Sequence, residues 1–243
     1  MKRQTKKLNS KKIIQVVTML ILCLILVFAC IFGYSVYKDT ATFDSKKLLS
    51  SGASVMYDSN GDIMYTYGSQ ENGTRKNVTY DDLPQVLVDA IVAAEDSRFF
   101  EHNGFDLPRI VKAALSNLKA GDITGGGSTI TQQLAKLLFT GNASQNKIQR
   151  AFQKLKEWVV AVSLEKRYTK EEIVTLYFNK FDFLHNANGI ELASKIYFNK
   201  SAKDLNLSEA ATFVAMLENP RRNNPIRYMD RAIKRRNVVL DQM

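Results

Sequence analysis

Two stretches of this chain carry side chains whose types and spacing could do chemistry. The first reads Glu95-Asp96-Ser97-Arg98-Phe99-Phe100-Glu101-His102-Asn103-Gly104-Phe105-Asp106, an acidic pair that leaves an apolar run and precedes aromatics, a histidine and a glycine turn. A carboxylate at the rim of a packed helix is half desolvated, which tunes it for proton transfer. The second reads Gly125-Gly126-Gly127-Ser128-Thr129-Ile130-Thr131-Gln132-Gln133 and runs from glycines into an expected helix start. A first helical turn offers unpaired N–H groups that suit a phosphate. A proton-transferring carboxylate near such a cradle points to chemistry on a phosphorylated substrate. Each half also has a plainer reading: a solvated acidic helix end, a surface histidine, and a loop closed by a Thr129-x-x-Gln132 capping box.

A third group lies further on. Ile148, Phe152, Leu155, Val159 and Val162 recur at helical spacing. Arg150, Lys154 and Glu157 fall at i, i+4, i+7 on the opposite, polar face. The plain reading is a surface i,i+3 pair between Lys154 and Glu157, contributing a few tenths of a kcal/mol.

The elements that must position these groups are mainly helical. Leu83 to Ala94 is apolar at helical spacing and ends at the acidic pair. Leu107, Ile110, Val111, Ala114, Leu115 and Leu118 form an amphipathic stripe, which packs a core or meets a membrane surface. Thr169-Lys170-Glu171-Glu172 starts another helix, and Leu207-Ser208-Glu209-Ala210-Ala211 opens one that Asn219-Pro220 closes. Before residue 81 the signals are β: Ala53–Tyr57 and Ile63–Tyr67 flank a turn containing Asn60-Gly61, a hairpin pattern, and Asn77–Tyr80 reads as a further short strand. The fold class is therefore mostly α with a small β-hairpin region.

The chain has 243 residues and a net charge of +10. Lys2, Arg3, Lys6, Lys7, Lys11 and Lys12 supply much of that charge, and no acid occurs among them. Residues 13–37 carry no charge at all. About 20 apolar residues span a hydrocarbon core of about 30 Å, and a basic flank stays cytoplasmic. This pattern predicts a single-pass anchor in the cytoplasmic membrane, with the bulk of the chain on its outer face. The rival, a cleaved signal peptide, would normally have a shorter apolar region, and no convincing small-x-small cleavage site precedes Lys38. Because the charge belongs to the anchor, no nucleic-acid partner is expected. Cys23 and Cys30 lie within the apolar segment as filler, so the exported part depends on a packed core. The expected organisation is a basic tail over 1–12, a transmembrane helix over 13–37, a stalk and hairpin linker over 38–80 and a catalytic domain over 81–243.

The joint pattern resembles the family 51 glycosyltransferases, the peptidoglycan-polymerising domain of bifunctional penicillin-binding proteins and monofunctional transglycosylases. The motif E-D-x-x-F-x-x-H-x-G-x-D is met from Glu95 to Asp106, and G-G-S-T-I-T-Q-Q-x-x-K from Gly126 to Lys136. In the third motif, R-K-x-x-E, Lys154 and Glu157 match while Gln153 replaces the arginine, a contact for which Arg150 is one turn away. Leu137 stands where asparagine is common. Tyr177-Phe178-Asn179 through Tyr197-Phe198 resembles the fourth motif, expected to pack behind the site. Asn224-Pro225 and Arg235 to Leu240 complete the fifth.

The resemblance implies a lysozyme-like, two-lobed fold and inverting transfer of a glycan from lipid pyrophosphate to the hydroxyl of lipid II, in cell wall biosynthesis. Glu95 is then the base, with Ala94, Phe99 and Phe100 placed to desolvate it, and Glu157 is the second catalytic carboxylate. Substrate contacts are expected from Asp96, Arg98, Phe99, Ser128, Thr129, Gln132, Gln133, Lys136, Arg150 and Lys154. Glu157 either orients a lysine or holds a divalent cation such as Mg or Mn. Expected partners are lipid II, the growing lipid-linked strand, the membrane and proteins of a cell-wall synthesis complex. Two other classes compete, a lysozyme-like hydrolase and an anchored scaffold without activity. A hydrolase has no use for the second and third motifs, and a scaffold has none for both glutamates. Ser116-x-x-Lys119 and Ser144-x-x-Lys147 have the spacing of a transpeptidase motif, but no K-[ST]-G accompanies them. The chain is either a complete monofunctional enzyme or part of a bifunctional one.

Overall fold

A computed structural model of the protein describes residues 10–41, 54–67, 77–120, 127–141 and 143–243. The chain separates into two compact units, Met1–Phe43 and Asp44–Met243. The first is built on one helix, α1 (Ser10–Ala41), in which Lys12–Ser35 is long and apolar enough to cross a membrane. Its side chains Leu20, Leu24 and Ile31 stand exposed, as lipid-facing residues do. The helix continues past residue 37, shortening the expected stalk, and residues 42–53 lie outside the described residues.

In the second unit β1 (Ser54–Tyr57) and β2 (Ile63–Tyr67) form the expected antiparallel hairpin. Gly61 adopts φ +87° in its turn, and the Asp58 carboxylate accepts from the N–H groups of Asn60 and Asp62. The expected strand at Asn77–Tyr80 does not form. The Val78 N–H donates to Asn179 Oδ1 and the Val78 carbonyl accepts from Asn179 Nδ2, both at 2.9 Å, so a side chain takes both groups a ladder would need. A single 3₁₀ turn follows at Tyr80–Asp82.

Helices make up the rest: α2 (Gln85–Glu95), α3 (Leu107–Ala120), α4 (Ile130–Ala135), α5 (Lys147–Glu165), α6 (Lys170–Lys180), α7 (Ile190–Phe198), α8 (Leu207–Glu218) and α9 (Met229–Gln242). The start signals act as read. Thr169 with Glu172 and Asn206 with Glu209 form reciprocal capping boxes. α8 is buried from Ala210 to Leu217 and packs against α2 and α9. α4 packs against α5 and α6. Edge-to-face contacts link Phe181, Phe183 and Phe213, and Tyr197 and Phe198 join at Phe213.

Two helices present their apolar stripes outward. On α3, Leu107, Val111 and Leu115 are at least half exposed, so the core-packing alternative does not hold for them. On α5, Ile148, Phe152, Leu155 and Val159 are exposed, while the buried face holds Glu157, Val160, Ala161 and Leu164. α5 is thus inverted relative to an ordinary surface helix, and its polar triad faces the interior.

Candidate active site

The acidic pair divides at the end of α2. Glu95, its last residue, lines a cleft of about 570 Å³. Asp96, the C-cap, turns inward and is fully buried. Its carboxylate meets His102 Nε2 at 3.0 and 3.1 Å and accepts from the Ile130 N–H at 3.1 Å, and Arg109 lies 3.9 Å away. His102 Nδ1 accepts from the Gly104 N–H at 3.1 Å, which leaves the ring proton on Nε2, donating to Asp96. Asp96 therefore ties the motif loop to the start of α4.

Gly104 is required by its backbone. It adopts φ +80°, and a Cβ there would meet the Ala161 carbonyl and Glu165 at 3.0 Å. Its own carbonyl accepts from Thr129 Oγ1 at 3.0 Å and Gln132 Nε2 at 3.1 Å. Arg98 pairs with Asp106 through two guanidinium nitrogens. Burial pushes the Asp106 carboxyl up, but the Arg109 N–H and the Arg98 guanidinium outweigh it and hold the group below the ordinary carboxylate range. Phe99 is fully buried under Lys170, whose Nζ lies 4.4 Å from the ring centre, and Phe100 is exposed. Of the three residues expected to desolvate Glu95, Ala94 alone lines the cleft.

These contacts revise the phosphate cradle. Gly125 and Gly126 lie outside the described residues. The N–H of Ile130 is taken by Asp96 and that of Gln132 by Thr129 Oγ1, so two of the first-turn donors of α4 are engaged within the protein. Half of the anticipated capping box forms, because the Gln132 side chain turns to Gly104. What faces the cleft instead is a group of cations with Ser128. Lys154 Nζ donates to Ser128 Oγ at 2.6 Å and to Glu157 Oε2 at 3.1 Å, and Arg150 Nη1 donates to Glu157 Oε1 at 2.7 Å. Burial, chiefly, lowers the Lys154 pKa; Glu157 opposes this, and Arg150 and Lys136 add to it. Lys136 and Leu137 line the same cleft.

Glu157 is 1% exposed, so the surface ion-pair reading does not hold. Both its oxygens face cations, and Thr140 Oγ1 stands 3.3 Å from Oε1. A divalent ion would have to displace those cations, so the arrangement fits an anchor for Lys154 and Arg150 and not a metal ligand. Gln153 accepts from the Ser144 N–H and braces the preceding loop, while Arg150 occupies the cleft wall. Asp96, His102 and Asp106 also approach within 4.8 Å of one another, but their oxygens are engaged by the arginines and N–H groups already named.

Sequence reasoning missed Arg109, Tyr177 and the Glu218–Arg235 pair, all of which line the cleft. Arg235 Nε lies 2.8 Å from Glu218 Oε2 without aiming its N–H at it, a charge contact. Tyr177 reads as one more packing residue of α6, yet its hydroxyl donates to Gln133 Oε1 at 2.8 Å, and Gln133 Nε2 donates to Glu95 Oε2 at 2.8 Å. The signal available was a phenol hydroxyl among the apolar Ile173, Val174, Leu176 and Phe178 of α6.

Comparison with known proteins gives the family of this helical body. Residues 60–243 match the family described as Transglycosylase, and the chain belongs to that family. Among its relatives are the class A penicillin-binding proteins. It is 34% identical to penicillin-binding protein 1F of Bacillus subtilis over 98% of this chain, and 39% identical to penicillin-binding protein 1A of Aquifex aeolicus over 88%. It is 36% identical to penicillin-binding protein 1A of Escherichia coli over 91%. The chain spans 32%, 28% and 25% of those relatives' own lengths. A crystal structure of penicillin-binding protein 1A from Haemophilus influenzae aligns over 79% of this chain and 18% of its own, at 22% identity and a TM-score of 0.41.

Proposed function

We propose that this protein is a peptidoglycan glycosyltransferase that polymerises lipid II, transferring a lipid-pyrophosphate-linked glycan to the 4-hydroxyl of the next disaccharide-peptide. The observation that carries the reading is the pairing of Glu95 with the Lys154–Arg150–Glu157 group in one cleft of a transglycosylase-family domain. Glu95 takes the hydroxyl proton as the new C–O bond forms and the bond to pyrophosphate breaks, with inversion at the sugar carbon. The departing pyrophosphate meets Lys154, Arg150 and Lys136, where fixed positive charge stabilises the charge that develops. Ser128 and Gln133 face the same space and suit hydrogen bonds to sugar or phosphate oxygens. Asp96, Arg98, Phe99 and Thr129 act one step back, by holding the motif loop and α4, whereas Gln132 both braces that loop and lines the cleft.

The apolar segment of α1 supports anchoring in the cytoplasmic membrane, and the basic residues before it support a cytoplasmic N-terminus. The outward faces of α3 and α5 support contact with a bilayer, where a lipid-linked substrate resides. Supplying purified protein with lipid-linked disaccharide-peptide tests the reading. Long glycan strands are the expected product. Cleavage of preformed glycan without polymer would make the protein a hydrolase, and neither activity would make it a scaffold.

A further inference from the structure

We infer that Tyr177 is a positioning residue for the Glu95 carboxylate, acting through the side-chain amide of Gln133, an inference that rests on Glu95 being the base. Three helices bring the groups together: Glu95 ends α2, Gln133 lies on α4 and Tyr177 on α6. The Tyr177 hydroxyl donates to Gln133 Oε1 at 2.8 Å, and Gln133 Nε2 donates to Glu95 Oε2 at 2.8 Å.

The chemistry of the amide makes this chain directional. Its two ends differ, one carbonyl oxygen and one NH₂, so a flip would set an acceptor against a carboxylate. A carboxylate at one end and a phenol donor at the other select the same orientation. Tyr177 keeps its proton for this task. It is 1% exposed, and burial first, then the negative charge of Glu95, push its pKa well above the ordinary 10.0. A donor polarised from behind gives a stronger hydrogen bond in front. With Oε2 held by Gln133, the carboxylate has a fixed rotation, and Oε1 is the oxygen turned to an incoming hydroxyl.

Packing alone does not account for the hydroxyl. The ring meets Phe178 and Phe181, contacts a phenylalanine would keep. A buried hydroxyl costs stability unless it is bonded, and Gln133 is the partner that bonds it here.

The test uses the full chain, a lipid-linked disaccharide-peptide donor, and the variants Tyr177→Phe, Gln133→Met and their combination. Loss of one neutral hydrogen bond from a positioned base should slow turnover in Tyr177→Phe by roughly 5–10-fold. The donor KM should stay within about two-fold, because a group felt in the transition state moves kcat more than binding. Gln133→Met should be at least as slow, and the double variant no slower than Gln133→Met, since a relay is cut once. Turnover near wild type in Tyr177→Phe, with Glu95→Gln inactive, overturns the relay and leaves the base assignment standing. Losses that multiply in the double variant overturn it too, because Tyr177 then acts by another route. Should Tyr177→Phe fold poorly, Gln133→Met cuts the chain from the cleft side, and normal turnover there refutes the relay by itself. A folded Glu95→Gln that polymerises normally removes both this inference and the mechanism beneath it.

Discussion

The Arg150 guanidinium lies 2.7 Å from the Glu157 carboxylate, two turns further along the same helix, and draws that carboxylate into a buried position between two cations. Glu157→Gln keeps the shape but leaves Lys154 and Arg150 facing each other without an anion. Both cations are partly exposed, so the cost is below that of a fully buried pair, about 1–3 kcal/mol of stability. Donor KM should rise as well, because the cations lose their placement. Melting and donor-dependence curves check both; an unchanged melting temperature with an unchanged donor KM would mean that Glu157 does not hold the two cations in place.

Glu95→Gln is expected to behave differently. Glu95 sits at the cleft rim with one hydrogen bond from Gln133, so its loss should leave the melting temperature nearly unchanged. Removing a general base typically costs roughly 10²–10⁴-fold in rate. Polymer formed at saturating donor is the measurement, and the defect should appear in kcat.

Asp96→Asn should destabilise the domain while touching no substrate. An asparagine can offer one oxygen where Asp96 offers two, and its NH₂ would face either the His102 Nε2–H or the Ile130 N–H as a second donor. A buried donor–donor clash with loss of a charged acceptor costs about 2–4 kcal/mol. Thermal unfolding should show the loss even without substrate.

Lys154 gives the pH dependence. Its pKa is lowered, mainly by burial, so the charged form needed for pyrophosphate is lost as pH rises through a value below the 10.5 of a free lysine. Activity should therefore fall on the alkaline side before an ordinary lysine would titrate. Lys154→Arg keeps its charge throughout that range, so any activity it retains should lack this alkaline fall. A wild-type rate that stays flat up to 10.5 would remove Lys154 from the charge-stabilising role.

Replacing Leu107, Val111 and Leu115 together by serine should leave the fold intact, because all three are at least half exposed. It should reduce polymerisation of a donor embedded in vesicles more than that of a donor in detergent. Equal effects in both assays would deny these residues a bilayer contact.

The sequence made the helical body, the hairpin and the capped starts of α6 and α8 legible, because each rests on local periodicity or on one turn of chain. It also marked both carboxylates. It did not reveal what each motif residue touches. Thr129 and Gln132 read as cradle or cap, and the choice depends on Gly104, whose carbonyl reaches them from 25 and 28 residues earlier. The Asn77–Tyr80 strand failed for a similar reason, since a distant asparagine claimed its backbone. α5 was misleading in another way: periodicity identifies two faces, but does not say which of them meets water, lipid or protein.

That asparagine sets a clock for biogenesis. Val78 and Asn179 complete each other across 101 residues, so the Val78 N–H and carbonyl lack their native partner until Asn179 has been synthesised. At about 5–20 residues per second of chain elongation, the interval is roughly 5–20 s. Loop closures of tens of nanoseconds and helix formation within microseconds are over long before then. α2, α3, α4 and α5 therefore have time to form while the entry to the domain at Val78 remains open, and the Val78–Asn179 contact closes only after them. A nascent chain stalled before Asn179 should stay protease-sensitive near Val78, and one stalled well beyond it should not.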